Sequence, residues 1–288
     1  MAAVRRAAPV PAARAAAPHP VASRPDRNGR RFGADAVCRA SRRAVRGGVN
    51  SDAPPQPRAE VAPEGAIPPG VPLRVVGDVH GDLRAFSAAV HTDRFLVQLG
   101  DLTDHGPDSA GVLRLMLRVV DEGRGVFVLG NHDRKLGRAL SGQGVRMDAA
   151  LAATLAQLDP ELRRRALHRI ERTPAWLARG RTFFVHGGFH PAMLHQAPPP
   201  PLGRVDPVLS RALFGETTGR MQPDGYPERV LRWVDRIPAG LTVYCGHDQR
   251  STDGRPYRRI GHAGGTAVFL DTGAGKGGHL SWIDLPGE

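Results

Sequence analysis

Residues 100–109 read GDLTDHGPDS, and this stretch determines how the rest of the chain is interpreted. The apolar run FLVQL at 95–99 leads directly into it and predicts a buried strand. Ligands in α/β proteins lie outside the carboxyl ends of strands, so Asp101 is well placed for chemistry. The closing PDS is a typical helix start. One short loop therefore carries Asp104 and His105 in front of a helix N-terminus, which favours bound anions.

The composition is that of a globular protein with a substantial core. The chain has 288 residues, 41% of them hydrophobic. Its two cysteines, Cys38 and Cys245, do not predict a disulfide framework or a Cys-rich metal site, and we expect a reducing, cytoplasmic location. No apolar run approaches the roughly 18 to 20 residues that a membrane span requires, so no membrane partner is expected.

The first 70 residues are rich in Ala, Arg, Pro and Gly and show no periodicity, so we expect them to be disordered. The formal net charge is +12, and 12 of the 40 basic residues lie in the first 72. A basic arm of this kind can bind nucleic acid. Its arginines lack regular interleaving aromatic residues, which favours a solvated tail. The ordered domain is predicted to span residues 71–288.

Downstream of this arm, strands and helices alternate in the order that is typical of a parallel sheet. Strands are predicted at residues 73–76, 95–99, 126–129, 182–185, 241–244, 257–260, 266–270 and 279–285. Helices are predicted at 83–90, with Asp82 as the cap, and at 107–121. Residues 134–180 have a helical pattern and are interpreted as a cap inserted into the fold. The segment GETTG at 215–219 is predicted to be an isolated polar loop.

Five of the predicted strands run into short loops that contain Asp, His or Asn. The side chains concerned are Asp78 and His80, Asp101 and Asp104, Asn131 and His132, His186, and His247. In four of these loops a Gly comes directly before the first such residue, and Gly lets the backbone approach a bound ion or phosphate closely. A structural histidine in the core explains one such loop, but it does not explain five at equivalent positions.

These side chains offer only oxygen and nitrogen donors, which suit Mn²⁺, Fe or Zn²⁺. The predicted ligands are Asp78, His80 and Asp101 for one ion, and Asp101, Asn131, His186 and His247 for the other. A carboxylate shared by two ions about 4 Å apart is what a two-metal site requires. His132 remains beside Asn131, and we expect it to act as general acid to the leaving oxygen, oriented by Asp104.

As a set, GDVHGD, GDLTDHGPDS, GNHD, VHGG and GHD resemble the five motifs of the calcineurin-like metallophosphoesterases over residues 73–285. The stretches GNHDRKLGRAL, FGETTG, VYCGHD and LDTG are similar to bacterial phosphoprotein-phosphatase-like enzymes and to the phosphatase domain of bacterial polynucleotide kinase-phosphatases. The resemblance implies an α/β fold, a four-layer αββα sandwich with a helical insertion near residues 134–180. It also implies two divalent metal ions, Mn²⁺ foremost, and hydrolysis of phosphoesters by metal-activated water.

The resemblance also assigns roles to individual residues. The six predicted ligands match metal-binding positions, His132 matches the catalytic residue paired with Asp104, and Asp271 matches a position that surrounds the active site. Asn131 is expected to contact the substrate as well as a metal ion. Lys135 lies one turn beyond His132 and is a further candidate for substrate binding. The segment GAGKG at 273–277 lacks the spacing of a phosphate-binding loop, so no role is predicted for it.

One position departs from the resembling proteins. Close relatives read GDxVDRG, where the Arg contacts phosphate, and this chain has His105 after Asp104. Imidazole is shorter than guanidinium, has fewer donors and is mostly neutral at pH 7. We therefore expect His105 to serve in substrate binding and to favour a singly charged phosphodiester over a dianionic phosphomonoester.

The sequence predicts the reaction and leaves the substrate open. Phosphomonoesters and phosphodiesters of small molecules, nucleotides, phosphoproteins or polynucleotide ends are all candidates. The alternative function is that of a catalytically degenerate member of the same fold, which binds nucleic acid through its basic N-terminal arm. The complete ligand set favours the enzyme, because only metal chemistry needs all six residues.

Overall fold

The computed structural model describes residues 67–223, 225–251 and 253–287. The predicted disorder of residues 1–70 falls almost entirely outside this described part and stays a prediction. Within the described residues, no helix combines the length and the hydrophobicity needed to cross a bilayer.

The described residues form eleven strands and six α-helices. The strands are β1 (Leu73–Val76), β2 (Phe95–Gln98), β3 (Gly125–Phe127), β4 (Trp176–Arg179), β5 (Thr182–Val185), β6 (Glu216–Met221), β7 (Pro227–Val230), β8 (Thr242–Cys245), β9 (Tyr257–Ile260), β10 (Thr266–Phe269) and β11 (Trp282–Leu285). The helices are α1 (Leu83–Val90), α2 (Ser109–Asp121), α3 (Asn131–Leu140), α4 (Ala149–Gln157), α5 (Pro160–Ile170) and α6 (Pro207–Phe214).

The strands build two mixed sheets and a separate hairpin. The first sheet has the order β11-β1-β2-β3, and the second has the order β4-β5-β8-β10-β9. The inner strands of each sheet run parallel, and β11, β4 and β9 are added antiparallel. The hairpin pairs β6 with β7. Parallel inner strands bring their carboxyl ends, and the loops that follow them, to one edge of each sheet.

Alternation along the strands places one core between the two sheets and further core on their outer faces. Leu73 and Val75 of β1 cluster with Phe184 of β5 and Val268 of β10 between the sheets. Val76 has the opposite orientation and belongs to the core shared with the helices. Each such buried side chain contributes about 1.5–3 kcal/mol to folding. The predicted α/β sandwich is confirmed.

Carboxylate caps fix where most of the helices begin. In five helices the preceding Asp accepts a hydrogen bond from the backbone N–H three residues on. The caps are Asp82, Asp108, Asp148, Asp159 and Asp206. Such a cap is worth about 1 kcal/mol, and the predicted cap of α1 is confirmed. Helix α3 starts differently, at Asn131 itself, so the third motif is the first turn of a helix.

Two local predictions were wrong, and both errors involve pairing between distant residues. Residues 134–180 contain α3, α4 and α5, but Trp176–Arg179 form the edge strand β4, which pairs with β5. The GETTG segment lies largely in β6, where Glu216 pairs with Val230 of β7. β4 is only four residues long and β6 is mostly exposed, so neither shows the sustained alternation of apolar and polar residues that predicts a strand.

Candidate metal centre

The loops after β1, β2, β3, β5 and β8 bring the six predicted ligand residues together. Potential ligand atoms lie within 4.8 Å of one another in two overlapping groups, which are Asp78, His80 and Asp101, and Asp101, His186 and His247. Asn131 adjoins the second group, since its Oδ1 lies 3.0 Å from Nε2 of His186. Asp101 belongs to both groups, which is the position predicted for a shared ligand.

Backbone carbonyl groups orient the two fully buried imidazoles. Nδ1 of His80 donates to the carbonyl of Thr103 at 3.0 Å, and Nδ1 of His186 donates to that of Leu99 at 2.8 Å. Nε2 of each ring therefore faces the carboxylate of Asp101, at 3.7 Å and 3.3 Å from Oδ2. A histidine held through one nitrogen by a carbonyl is typical of metal ligands, because the ring orientation is then fixed.

The polar atoms of the cluster fit divalent cations. Among the described residues, Nε2 of His80 and Nε2 of His247 are buried and have no hydrogen-bond partner. An unsatisfied buried polar atom costs about 1–3 kcal/mol. Burial, together with the charge of Asp271, raises the pKa of Asp78 well above its usual range. A cation bound here would satisfy the two nitrogens and offset the buried carboxylate.

Charge is concentrated on Asp101. Burial opposes its ionisation, but the imidazoles of His186 and His132 lower the pKa of Asp101 well below its usual range. Burial opposes the charged form of His186 too, yet Asp101 and Asp78 raise its pKa to about 9. Burial lowers the pKa of His80 to about 3, which keeps that ring neutral. The centre therefore attracts positive charge to Asp101.

Two glycines of the motifs have no side chain where the carboxylates of Asp78 and Asp101 lie. A Cβ at Gly246 would lie 1.9 Å from Oδ1 of Asp78, and a Cβ at Gly130 would lie 2.3 Å from Oδ1 of Asp101. Contacts this short do not occur, so any larger residue would displace the carboxylate. The sequence analysis predicted that these glycines let the backbone approach a bound ion or phosphate. In the structure the backbone at both glycines closely approaches the side chains of the predicted ligands.

Strained backbone is confined to this centre. The described non-glycine residues with positive φ are His80 (46°), Asp101 (58°), Asp104 (72°), His105 (65°) and His247 (62°). The left-handed conformation costs an L-residue roughly 1–2 kcal/mol. Such strain persists where surrounding contacts over-determine the backbone, as they do at functional sites.

Asp133 holds the loop that follows β2, and the sequence analysis assigned it no role. Its buried carboxylate accepts the N–H groups of Asp101 at 2.8 Å, Leu102 at 3.0 Å and Gly130 at 3.1 Å. Burial and the charge of Asp101 raise the pKa of Asp133 to about 6. The sequence signal for this role was that Asp133 is the acidic residue of GNHD; in the structure it lies buried in the first turn of α3.

His132 and Asp104 form the predicted pair. Nδ1 of His132 lies 2.6 Å from Oδ2 of Asp104. Burial opposes the charge on His132, but Asp101 and Asp104 raise its pKa. Burial also opposes the ionisation of Asp104, but hydrogen bonds from His132 and Thr154 lower its pKa. The His132 side chain is 19% exposed, so a protonated imidazole can reach a bound substrate.

Thr154 of α4 completes this pair and was missed. Its buried hydroxyl donates to Oδ1 of Asp104 at 2.7 Å and lies 3.2 Å from Oγ of Ser109. The helical insertion thus reaches the carboxylate of Asp104. A threonine within a helical pattern gives no sequence signal for such a contact.

The other predicted residues occupy the rim. The exposed ring of His105 lies 4.9 Å from the ring of His80 and 5.1 Å from that of His132, between centroids. Asp271 is buried and accepts the N–H of Gly273 at 2.9 Å. Lys135 forms an ion pair with Asp148, the N-cap of α4.

Two cations adjoin the rim, and sequence reasoning found neither. Burial lowers the pKa of His105 most, and the charge of Lys276 lowers it further. A Cβ at Gly275 would lie 2.2 Å from the carbonyl oxygen of His80, so this loop packs on the centre. Arg229 of β7 has a buried Nη1 with no hydrogen-bond partner in the described part of the chain.

Arg229 pairs with Thr217, three residues after Phe214, in the hairpin that follows α6. Burial lowers the pKa of His247 most, and the charges of His186 and Arg229 lower it further. The ring of Phe214, the last residue of α6, lies 6.2 Å from the ring of His247, between centroids. Phe214 ends α6 and Arg229 lies in the hairpin, a region in which the sequence analysis noted the FGETTG stretch but predicted no site residue.

The arrangement is that of a metal-dependent phosphoesterase. A family model, the calcineurin-like phosphoesterases, matches residues 71–255, and the chain belongs to this family. The predicted family is confirmed, and with it the enzyme class: a hydrolase of phosphoester bonds that uses divalent metal ions.

Two relatives and one solved structure extend the comparison. The chain is 31% identical to bis(5'-nucleosyl)-tetraphosphatase PrpE (asymmetrical) of Geobacillus thermodenitrificans (strain NG80-2), over 74% of this chain and 90% of the relative. It is 28% identical to the protein of the same name from Geobacillus sp. (strain WCH70), with the same coverage of 74% and 90%. A crystal structure provisionally assigned as a diadenosine tetraphosphatase has a TM-score of 0.50 and 23% identity, over 77% of this chain and 97% of that one. This likeness supports the fold.

Proposed function

We propose that this enzyme hydrolyses nucleoside polyphosphates, and dinucleoside tetraphosphates in particular. The observation that carries the proposal is the cluster of carboxylate, amide and imidazole donors around Asp101, with the His132–Asp104 pair at its rim. The substrate class is supported by the names of the relatives, which cover most of this chain.

The six predicted ligands would hold two divalent ions. Their oxygen and nitrogen donors suit Mn²⁺, which we propose as the resident ion, with Fe and Zn²⁺ as alternatives. Divalent ions at such a site activate water for attack at phosphorus and offset the negative charge of the phosphoryl group. The chain supplies the remaining chemistry.

His132 supplies the proton. With Nδ1 bonded to Asp104, its Nε2–H is free to donate to the leaving oxygen, and the charge of Asp104 stabilises the protonated ring before transfer. Thr154 keeps Asp104 in place from the other side. Oδ1 of Asn131 faces His186, which leaves the amide N–H₂ group for a phosphoryl oxygen.

The rim suits a chain of phosphates. An internal phosphate of a polyphosphate carries one negative charge, as a phosphodiester does, so it does not need the arginine that His105 replaces. Lys276 follows Gly275 in the loop that packs on His80, and Arg229 pairs with Thr217 just beyond α6, so the chain carries cations on two different segments beside the centre. Neighbouring phosphates of an extended substrate can then be neutralised on either side of the cleaved bond.

The test is hydrolysis of diadenosine tetraphosphate by metal-depleted enzyme before and after addition of Mn²⁺. Anion-exchange chromatography should show Mn²⁺-dependent formation of ATP and AMP, the products of asymmetrical cleavage by one water. His132→Ala should abolish product formation while metal content is retained. A wild-type enzyme that leaves the nucleotide intact but dephosphorylates a phosphoserine peptide would refute the nucleotide assignment and keep the enzyme class.

The nucleic-acid-binding alternative depends on the basic arm. Residues 1–66 lie outside the described part of the chain, so binding by this arm stays a prediction. The His132–Asp104 pair beside the ligand cluster has no purpose in a non-catalytic binding protein, which favours the enzyme.

A further inference from the structure

We propose that Phe214 is the stacking platform of a nucleobase subsite beside the metal centre, and that it favours nucleotides over base-free phosphates. This inference rests on the proposed function, because it concerns how the same site recognises its substrate. Phe214 opens the FGETTG stretch that carries part of the family resemblance, but the sequence analysis assigned this residue no role.

The backbone fixes Phe214 against the centre. The N–H of Gly187, the residue after His186, donates to the carbonyl of Ala212 in α6 at 2.5 Å. A Cβ at Gly187 would lie 2.6 Å from the backbone nitrogen of Phe214. The end of α6 is therefore in direct contact with the loop that carries His186. The backbone of Phe214 is held against that loop.

The ring is available to a ligand. Phe214 is 40% exposed, although it ends a helix whose residues Ala212 and Leu213 are fully buried. Its plane makes an angle of 70° with the ring of His247, at 6.2 Å between centroids. The phenyl group thus meets the imidazole at an angle instead of stacking on it, and a large part of its surface remains open to solvent. An exposed aromatic face in this position suits a flat, apolar ligand.

The charges beside the ring identify the occupant as a nucleotide. In a nucleotide a ribose separates the base from the first phosphate, so a base on Phe214 leaves its phosphates near His247 and Arg229. Nη1 of Arg229 is buried and finds no hydrogen-bond partner among the described residues. Arg229 pairs with Thr217, three residues after Phe214. An aromatic platform and a guanidinium nitrogen without a partner, on neighbouring segments, form the combination that binds a base and its phosphate together.

The experiment compares diadenosine tetraphosphate with inorganic tripolyphosphate, which has no base. Loss of one base–aromatic stack should raise KM for the dinucleotide about tenfold in Phe214→Ala. The KM for tripolyphosphate should not change, and Phe214→Trp should keep the wild-type preference. Ile260→Ala is the matched control, because Ile260 is a 73% exposed apolar residue on β9.

Two results would overturn the subsite. In the first, Phe214→Ala changes the KM values for both substrates by the same factor, which would show that the ring only positions His247. In the second, Phe214→Ala changes neither KM value. Calorimetric binding to the His132→Ala variant provides a second readout. Adding Phe214→Ala to this variant should weaken binding of the dinucleotide about tenfold and leave binding of tripolyphosphate unchanged. A wild-type enzyme that fails to hydrolyse the dinucleotide would refute the proposed function, while this binding measurement would still test Phe214.

Discussion

Asp101 connects more of the centre than any other single carboxylate described above. Its Oδ1 accepts the backbone N–H of His132 at 2.8 Å, and its Oδ2 faces the imidazoles of His80 and His186. Its own backbone is held by Asp133 in a left-handed conformation with φ of 58°. A residue fixed this tightly in an unfavourable conformation is expected to serve both ions.

Asp101→Asn should therefore remove almost all activity. Loss of the shared charge forfeits several kcal/mol of transition-state stabilisation, so kcat/KM should fall about 10³-fold or more. Elemental analysis should show loss of bound Mn²⁺ from the same variant. The surface variant Glu171→Gln is the control, and Asp101→Asn activity near that of the control would contradict the shared-ligand role.

We propose that His105 influences which substrate charge the centre accepts. Its ring forms a triangle with the rings of His80 and His132, with centroids 4.9–5.1 Å apart. Burial, together with the charge of Lys276, lowers the pKa of His105, so the ring is mostly neutral. His105→Arg adds a permanent cation with more donors. The ratio of activity on p-nitrophenyl phosphate to activity on its bis-ester should rise about tenfold, for a charged hydrogen bond of about 1.5 kcal/mol. An unchanged ratio would show that His105 does not contact the substrate.

Among the helices and strands, α4 contributes to the centre through one hydroxyl group, that of Thr154, which donates a hydrogen bond to Asp104. Thr154→Val keeps the shape of the side chain and removes the donor to Asp104, a hydrogen bond to a charged group worth about 1.5–3 kcal/mol. We expect kcat to fall about tenfold with little change in KM, because His132 loses its orientation and the substrate contacts remain. Thr154→Ser should restore most of the rate. Equal losses in both variants would indicate a packing role for α4.

The hairpin of β6 and β7 contributes Arg229. Arg229→Met should raise KM for diadenosine tetraphosphate about tenfold, since a charged hydrogen bond of about 1.5–3 kcal/mol is lost. Arg220→Met is the matched control on the same hairpin, where Arg220 is 77% exposed and pairs with Glu228. If both variants behaved alike, the effect would be one of general surface charge.

The elements also show what the sequence can and cannot predict. The strand ends before Asp78, Asp101 and His186 were predictable, because an apolar run that ends at a polar residue flanked by Gly is a local pattern. The strands β4 and β6 were not, because each depends on a partner that local periodicity does not reveal. The contact of Thr154 with Asp104 joins residues 50 positions apart, and no local pattern encodes it.

At the scale of the whole molecule, the two sheets share the centre. Asp78, Asp101 and Asn131 follow strands of the first sheet, whereas His186 and His247 follow strands of the second. Direct contacts already cross between them, since the N–H of His247 donates to the carboxylate of Asp78 at 3.0 Å. Ions bound at this edge would tie the sheets together and neutralise carboxylates buried on folding.

Removal of metal should accordingly destabilise the whole sandwich. A ligand present at 100 times its Kd and bound only by the folded state adds about 2.7 kcal/mol of stability. At about 2–4 °C per kcal/mol for a domain of this size, Tm should be about 5–10 °C lower in EDTA than in Mn²⁺. Circular dichroism melts measure this shift, and the Asp101→Asn variant is the control in which it should largely vanish. Equal Tm values for the wild-type protein in EDTA and in Mn²⁺ would show that the cluster does not bind the ion in the folded state. A shift of the same size in both proteins would place the stabilising ion elsewhere.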